Sequence, residues 1–229
     1  MDRLLIVVPY RNRENHLKDF LIQTPKYFTE KNIPYDILIA ELDSIGDWNH
    51  GLCCNSLVNF NIGLKYEYLY IHDVDVCPLS GDWKFPKDNQ VFFNLGDHGS
   101  CVMKYESYFN SGGFSNNFWG WGYMDDCIYR RLILTGHQMI DCWGDILYDT
   151  KNQNHDREID EINQTKKLEY LKKEYIDKDK FNINEDSVHD TNKYGKTHSL
   201  IKIQDNIYKH NIEPLIKSPR ELELHNSYK

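Results

Sequence analysis

The chain opens on an unbroken aliphatic run, Leu4–Val8, that stops at Pro9. A short apolar run ended by a breaker predicts a strand buried on both faces, as in parallel sheets. Arg11–Phe28 then places Leu17, Phe20, Leu21 and Tyr27 at roughly helical spacing and predicts a helix. Tyr35–Glu41 (YDILIAE) predicts a second strand. Gly51–Gly63 mixes turn signals with Leu52, Leu57, Val58 and Ile62 at helical spacing, and Tyr66–His72 (YEYLYIH) predicts a third strand that ends directly on Asp73-Val74-Asp75. Val91–Asn94 and Cys101–Lys104 predict two further short strands, and Asp126–Leu134 (DCIYRRLIL) a helix closed by Gly136.

After Tyr148 the pattern turns polar. DTKNQNHDRE reads as a loop, and Ile159–Tyr175 as an amphipathic helix with Ile159, Ile162, Leu168, Leu171 and Tyr175 on one face. Residues 177–196 are polar, and Leu200–Tyr208 (LIKIQDNIY) alternates like an edge strand. Strand and helix alternate over the first 75 residues, which predicts an α/β domain built on a parallel sheet. In such sheets ligands bind beyond the carboxyl ends of the strands, where Asp73 and Asp75 fall. No repeat and no linker divides the chain, so one domain over residues 1–229 is expected.

Composition narrows the class. The 229 residues are 40% hydrophobic and 14% aromatic, enough for a buried core. A net charge of -8, with no Lys/Arg cluster interleaved with aromatics, argues against a nucleic-acid partner. The first apolar run is too short for a membrane span and lacks a signal-peptide cleavage pattern, so a soluble cytoplasmic protein is expected. The six cysteines show no CxxC spacing, which favours free thiols over a zinc site or disulfides.

Several segments carry candidate chemistry. Strand alternation would point Asp73 and Asp75 to one side, where paired carboxylates repel unless a cation sits nearby; hard oxygen ligands suit Mn²⁺ or Mg²⁺. Pro9-Tyr10-Arg11-Asn12-Arg13, at the end of the first strand, offers an aromatic, an amide and two cations to a nucleotide, or simply a solvated helix start. Gly112-Gly113 permits close approach of backbone to a ligand, or an ordinary turn. FWGWGYMDDC (Phe118–Cys127) sets indoles on a glycine-rich backbone before two acids. Flat aromatic faces stack on sugar rings while carboxylates accept hydroxyl hydrogen bonds; the alternative is an aromatic turn with one acid capping the next helix.

Taken in order, VPYRNRENHL (Val8–Leu17), YIHDVDVCPL (Tyr70–Leu79), GGFSNNFWGWG (Gly112–Gly122) and DDCIYRRL (Asp125–Leu132) resemble the β-1,4-galactosyltransferase family (glycosyltransferase family 7). The HDVD and YRRL forms look most like its xylose-directed, proteoglycan-linker branch. The resemblance covers roughly residues 4–160. It implies a GT-A fold, a Rossmann-like nucleotide-sugar-binding sheet, mostly parallel and flanked by helices. It further implies Mn²⁺-dependent transfer of a hexose, galactose or N-acetylhexosamine, from a UDP-sugar donor to a hydroxyl of a saccharide or glycoconjugate acceptor, with inversion.

By that resemblance Pro9, Tyr10, Arg11, Arg13, Asp73, Val74, Asp75, Trp121 and Gly122 bind the donor. Trp121, Tyr123, Asp125 and Asp126 bind the acceptor, Asp125 acts as general base, and Asp75 and His155 ligate the metal. The family's lid loop maps to 148–158, with His155 in Gln153-Asn154-His155-Asp156, and 159–229 becomes a C-terminal helix and extension.

The chain also departs from the family pattern. Tyr123-Met124 stands where the family has Gly or Arg and then Glu, and Cys127 replaces a third acid, which points to a changed acceptor. Gly96 falls where a donor-restricting Tyr normally sits. The family's Phe-Asn-Arg segment matches Cys54-Asn55-Ser56 best, with Trp48-Asn49-His50 as the other candidate. The family's Golgi members carry an N-terminal anchor that this sequence lacks, which suggests a bacterial or viral enzyme. A non-catalytic sugar-binding relative is the competing reading.

Overall fold

The computed structural model describes residues 3–43, 46–60, 66–93, 100–141, 146–149, 165–169, 171, 182, 184–198 and 201–215. Its frame is a mixed sheet. Strands β1 (Leu4–Tyr10), β2 (Tyr35–Leu42), β3 (Tyr68–Ile71), β5 (Gln90–Phe93), β6 (Cys101–Lys104), β7 (Gln138–Asp141), β10 (Ile201–Gln204) and β11 (Ile207–Pro214) run in the order β10-β11-β2-β1-β3-β6-β5-β7. A further strand, β9 (Gly195–Thr197), pairs with β11. The central four, β11-β2-β1-β3, are mutually parallel, whereas β6 is antiparallel to both of its neighbours. Strands β4 (Cys77–Gly81) and β8 (Ile146–Asp149) form a separate antiparallel pair.

Every residue of β1 is buried, which accounts for its unbroken aliphatic run. Side chains alternate across the sheet: Leu5 and Val7 enter one core cluster, while Leu4, Ile6, Val8 and Tyr10 enter the other. Fully burying each such aliphatic side chain contributes roughly 1.5–3 kcal/mol. Helix α1 (Glu14–Glu30) covers the second face through Phe20, Tyr27 and Phe28; α2 (His50–Phe60) covers the first through Leu52, Leu57 and Val58, and the short α3 (Tyr105–Asn110) after β6 adds Tyr108 to it.

Helix α1 runs through Pro25, a residue that cannot donate to the carbonyl four positions earlier. That carbonyl, on Leu21, is approached instead by the Gln204 side-chain amide at 3.5 Å. The helix begins three residues later than its sequence pattern predicts, so Arg11 and Arg13 lie on the connection after β1. Strand β3 ends at Ile71, and Asp73–Asp75 forms a turn closed by Val76 N–H on the Asp73 carbonyl at 3.4 Å. The expected alternation of Asp73 and Asp75 along a strand therefore does not apply.

The predicted edge strand Leu200–Tyr208 resolves into two. β10 forms the exposed edge, and β11 inserts beside β2 in the parallel core. Residues 165–169 and 171 are helical within the predicted Ile159–Tyr175 helix. Cys53, Cys54, Cys77, Cys101 and Cys127 are buried thiols. Gly96, Cys142, Gln153, His155, Asp156 and most of the 148–158 loop lie outside the described residues.

Candidate active site

The first part of the site forms at the carboxyl ends of β1, β2 and β3. Pro9 and Tyr10 are buried in β1, and the Tyr10 ring belongs to the core on the α1 side with Lys209 Nζ 5.6 Å from its centroid. Arg11 and Arg13 reach outward from the following turn. Arg13 Nη1 pairs with Asp75 Oδ2 at 2.8 Å, and Asp75 is only 8% exposed. Arg11 Nη1 donates to the Gly46 carbonyl at 2.7 Å, and its guanidinium lies 5.5 Å from the Trp48 ring centroid. Val74, between the two acids, is buried in the α1-side core.

Asp73 faces a different partner: His50 Nε2 stands 3.6 Å from its Oδ1. Burial pushes the Asp73 carboxyl up, but His50, with smaller contributions from His72 and Arg13, holds it below the usual carboxylate range. Burial opposes charge on His50 as well, yet contacts with Cys54 and Asp73 raise its pKa well above the ordinary imidazole value. The two acids thus share a turn and divide between two cationic partners.

His50 brings the start of α2 to this cluster. It opens α2 as part of Trp48-Asn49-His50, and Asn49 Oδ1 caps that helix by accepting Leu52 N–H at 2.8 Å. The other segment, Cys54-Asn55-Ser56, lies one turn further along the same helix, with Cys54 Sγ 3.9 Å from His50 Nδ1. Asn55 instead supports Gly113–Asn116: its amide donates to the Phe114 carbonyl (2.7 Å) and Asn116 Oδ1 (3.0 Å), and its Oδ1 accepts from Tyr108 Oη (2.6 Å) and Phe114 N–H (3.2 Å).

Trp48, which the sequence offered only within the second candidate match Trp48-Asn49-His50, joins the two halves of the site. Its ring meets Arg11, and its carbonyl accepts Gly120 N–H at 2.6 Å. Of the expected displayed aromatics in FWGWG, Phe118 and Trp119 are core residues, 3% and 4% exposed, while Trp121 is 39% exposed. The reason is backbone shape. Gly120, Gly122 and Tyr123 all have positive φ (75°, 94° and 64°), so the chain turns repeatedly, driving Trp119 inward and leaving Trp121 out.

Helix α4 (Met124–Leu134) starts from left-handed Tyr123, which makes no side-chain cap. Asp125 and Asp126 sit in its first turn, where the helix dipole favours negative charge. Asp125 is half-buried and Asp126 exposed; Met124 and Cys127, at the positions that depart from the family pattern, are buried in the core.

Among the described residues no group of three His, Cys, Asp or Glu side chains is arranged to hold a metal ion, and His155 lies outside them. Asp73 and Asp75 nevertheless supply hard oxygen donors at a point already compensated by two cations, a donor type that suits Mn²⁺ or Mg²⁺. Among the described residues no helix is long and apolar enough to cross a membrane.

Comparison with known proteins bears on the family and the fold. Residues 1–85 match the N-terminal region of glycosyl transferase group 7, and residues 84–155 match the N-terminal domain of galactosyltransferase. Human β-1,4-galactosyltransferase 6 is 23% identical over 202 residues, covering 76% of this chain and 50% of that protein. The xylosylprotein 4-β-galactosyltransferase of Caenorhabditis elegans is 26% identical over 145 residues, covering 57% of this chain and 50% of that protein. The chain thus spans about half the length of these relatives. Among solved structures, a mutant of Drosophila β-1,4-galactosyltransferase 7 in complex with manganese, UDP-Gal and xylobiose superposes with a TM-score of 0.72 at 15% identity, covering 97% of each chain. The catalytic domain of that protein with xylobiose gives 0.68 at 16% identity, again covering 97% of each chain. The sheet and its helices are a GT-A fold.

Proposed function

Because the chain belongs to the glycosyl transferase group 7 family and has its GT-A fold, we propose that it is an inverting, Mn²⁺-dependent glycosyltransferase acting on a UDP-sugar and a saccharide acceptor. The observation that carries this reading is the Arg11–Trp48–Gly120 connection. It ties the basic and acidic turns at the strand ends to the loop bearing Trp121 and the α4 acids.

In this reading Arg11 and Arg13 take the diphosphate through charge-assisted hydrogen bonds, with Pro9, Tyr10, Asp73 and Val74 forming the adjacent wall. Asp75 holds the cation, with His155 as the second protein ligand. Such a cation, when bound, neutralises charge on the departing diphosphate. Trp121 stacks on sugar, Gly122 allows close backbone approach, and Tyr123 and Asp126 bind the acceptor. Asp125 takes the proton of the attacking acceptor hydroxyl as its oxygen bonds to the anomeric carbon and the bond from that carbon to the UDP oxygen breaks. Alignment of the two sugars supplies much of the remaining barrier reduction.

Turnover of a panel of UDP-hexoses and UDP-N-acetylhexosamines, with Mn²⁺ and an acceptor array, tests the proposal. Product formation that needs both Mn²⁺ and Asp125 supports it. Donor binding without turnover on any acceptor would favour the non-catalytic, sugar-binding reading.

A further inference from the structure

Two buried groups outside the family-matched residues 1–155 grip the loop that precedes the α4 acids. Lys167, only 3% exposed, donates from Nζ to the Trp121 carbonyl at 3.0 Å and the Gly122 carbonyl at 3.3 Å. Asp186, 8% exposed, grips the other end of the loop. Its Oδ1 accepts Asn116 N–H at 2.8 Å and Asn117 Nδ2 at 2.9 Å, and its Oδ2 accepts Ser115 Oγ at 2.5 Å. The Asp186 carbonyl accepts Arg131 Nη1 at 3.1 Å, which links this anchor to α4 itself.

The loop between these anchors needs such support. Three of its last four residues before Met124 have positive φ, so no regular ladder satisfies its peptide groups, and a buried peptide carbonyl left unpaired is costly. Trp121 is 39% exposed where Trp119 is 4%, so core packing restrains it less and the backbone bonds beside it matter more. An ammonium donating to two carbonyls is a strong, charge-assisted restraint. It acts at the two residues immediately before Tyr123, the residue from which α4 and its first-turn acids start.

We propose that Lys167 and Asp186 are positioning residues: they clamp Ser115–Gly122 from the C-terminal segment and so fix Trp121 and Asp125 against the acceptor. The inference rests on the glycosyltransferase reading above for its consequence, but the clamp can be measured without turnover.

Amide hydrogen exchange over residues 118–127 of the full chain reads the clamp directly, and Mn²⁺-dependent kinetics read its effect. Lys167→Met keeps the stem and removes the donor, Lys167→Arg restores a donor, and Asp186→Asn keeps shape while weakening the acceptor. In Lys167→Met, exchange at 118–127 rises at least about tenfold while amides of β1–β3 are unchanged, and kcat over acceptor KM falls about tenfold or more. UDP affinity stays within about twofold of the parent, since the diphosphate is assigned to Arg11 and Arg13 outside the clamped loop, and Lys167→Arg recovers part of both losses.

Unchanged exchange in Lys167→Met and Asp186→Asn overturns the clamp. Faster exchange with unaltered kcat and KM overturns the positioning role and leaves a purely structural one. If Lys167→Met fails to fold, Asp186→Asn and Lys167→Arg decide by the same two readouts. Absence of turnover in the parent protein on every donor and acceptor counts against the glycosyltransferase reading, and the exchange result still decides the clamp.

Discussion

Arg13 Nη1 donates to Asp75 Oδ2 at 2.8 Å, joining the turn after β1 to the turn after β3 across 62 residues of sequence. The carboxylate assigned to the cation is therefore held by a guanidinium, and any cation at Asp75 has to compete with it. On the proposed function UDP is expected to relieve the competition, because its diphosphate would offer Arg13 another anionic partner. Mn²⁺ is expected to bind at least about tenfold more tightly with UDP present than without it, a coupling near 1.4 kcal/mol. Titration of free Mn²⁺ by electron paramagnetic resonance measures this. Asp75→Asn abolishes the coupling; equal affinity with and without UDP would show that Arg13 and the cation do not compete.

Asp125 and Asp126 share the first turn of α4 but differ in exposure, half-buried against exposed. The assigned roles predict different kinetic signatures. Asp125→Asn lowers kcat by about 10²–10⁴-fold with UDP affinity retained, the loss of a general base. Asp126→Asn mainly raises acceptor KM, by about tenfold, as expected for one lost hydrogen bond to a charged group. Steady-state kinetics with varied acceptor separate the two, and identical effects of both substitutions would refute the division of labour.

His72 gives the fold an acid limit. Its ring is fully buried, stacked on Tyr70 at 4.5 Å and edge-on to Phe20 at 5.2 Å, and burial lowers its pKa to about 4 despite the opposing pull of Asp73. A depressed imidazole pKa means that the unfolded chain takes up the proton first. The stability is therefore complete above the unfolded value near 6.5 and is lost as pH falls towards 4, by about 3 kcal/mol at most. His72→Phe keeps an aromatic ring at this position and removes the titration. Urea unfolding between pH 7 and pH 4 is expected to show a shallower loss of stability in that variant, and parallel curves would assign the acid sensitivity elsewhere.

Gly51 and Gly113 bring α2 and the Gly112–Asn116 segment into direct contact. A methyl group on Gly51 would overlap the Ser115 carbonyl oxygen and lie 2.8 Å from Phe114 Cβ; one on Gly113 would lie 2.6 Å from both Asn55 Oδ1 and Tyr108 Cε1. Gly113 also has a φ of 62°, which an L side chain adopts with strain. Each Ala substitution is expected to cost about 1–3 kcal/mol by overpacking. Gly136→Ala is the control: its φ is 88°, but its added methyl meets no atom within 4 Å, leaving about 1–2 kcal/mol of backbone strain. Thermal unfolding ranks the three, and a Gly51→Ala protein as stable as the parent would contradict the packing.

The legible part of this protein is the part set by local pattern. The continuous apolar run of β1, the strand–helix alternation and the residue types of the Asp73–Asp75 and FWGWGYMDDC segments are all present in linear order. The pattern predicts an α/β fold, and the resemblance that those motifs carry implies its nucleotide-sugar-binding form with a candidate site at the strand ends. Alternation failed at Asp73–Asp75 because β3 stops at Ile71 and the acids occupy a turn. It is also tertiary packing, through a backbone of repeated positive φ, that buries Trp119 and exposes Trp121.

The longest-range decisions were invisible in the sequence. Asn55 under the Gly113–Asn116 segment, Trp48 between Arg11 and Gly120, and Lys167 and Asp186 on the site loop are isolated polar or aromatic residues with no periodic signature. Local propensity fixes whether a segment turns or extends. Which buried carbonyl a distant ammonium or carboxamide must satisfy is decided only when the chain has closed around it, because the cost of an unpaired polar group exists only after water is gone.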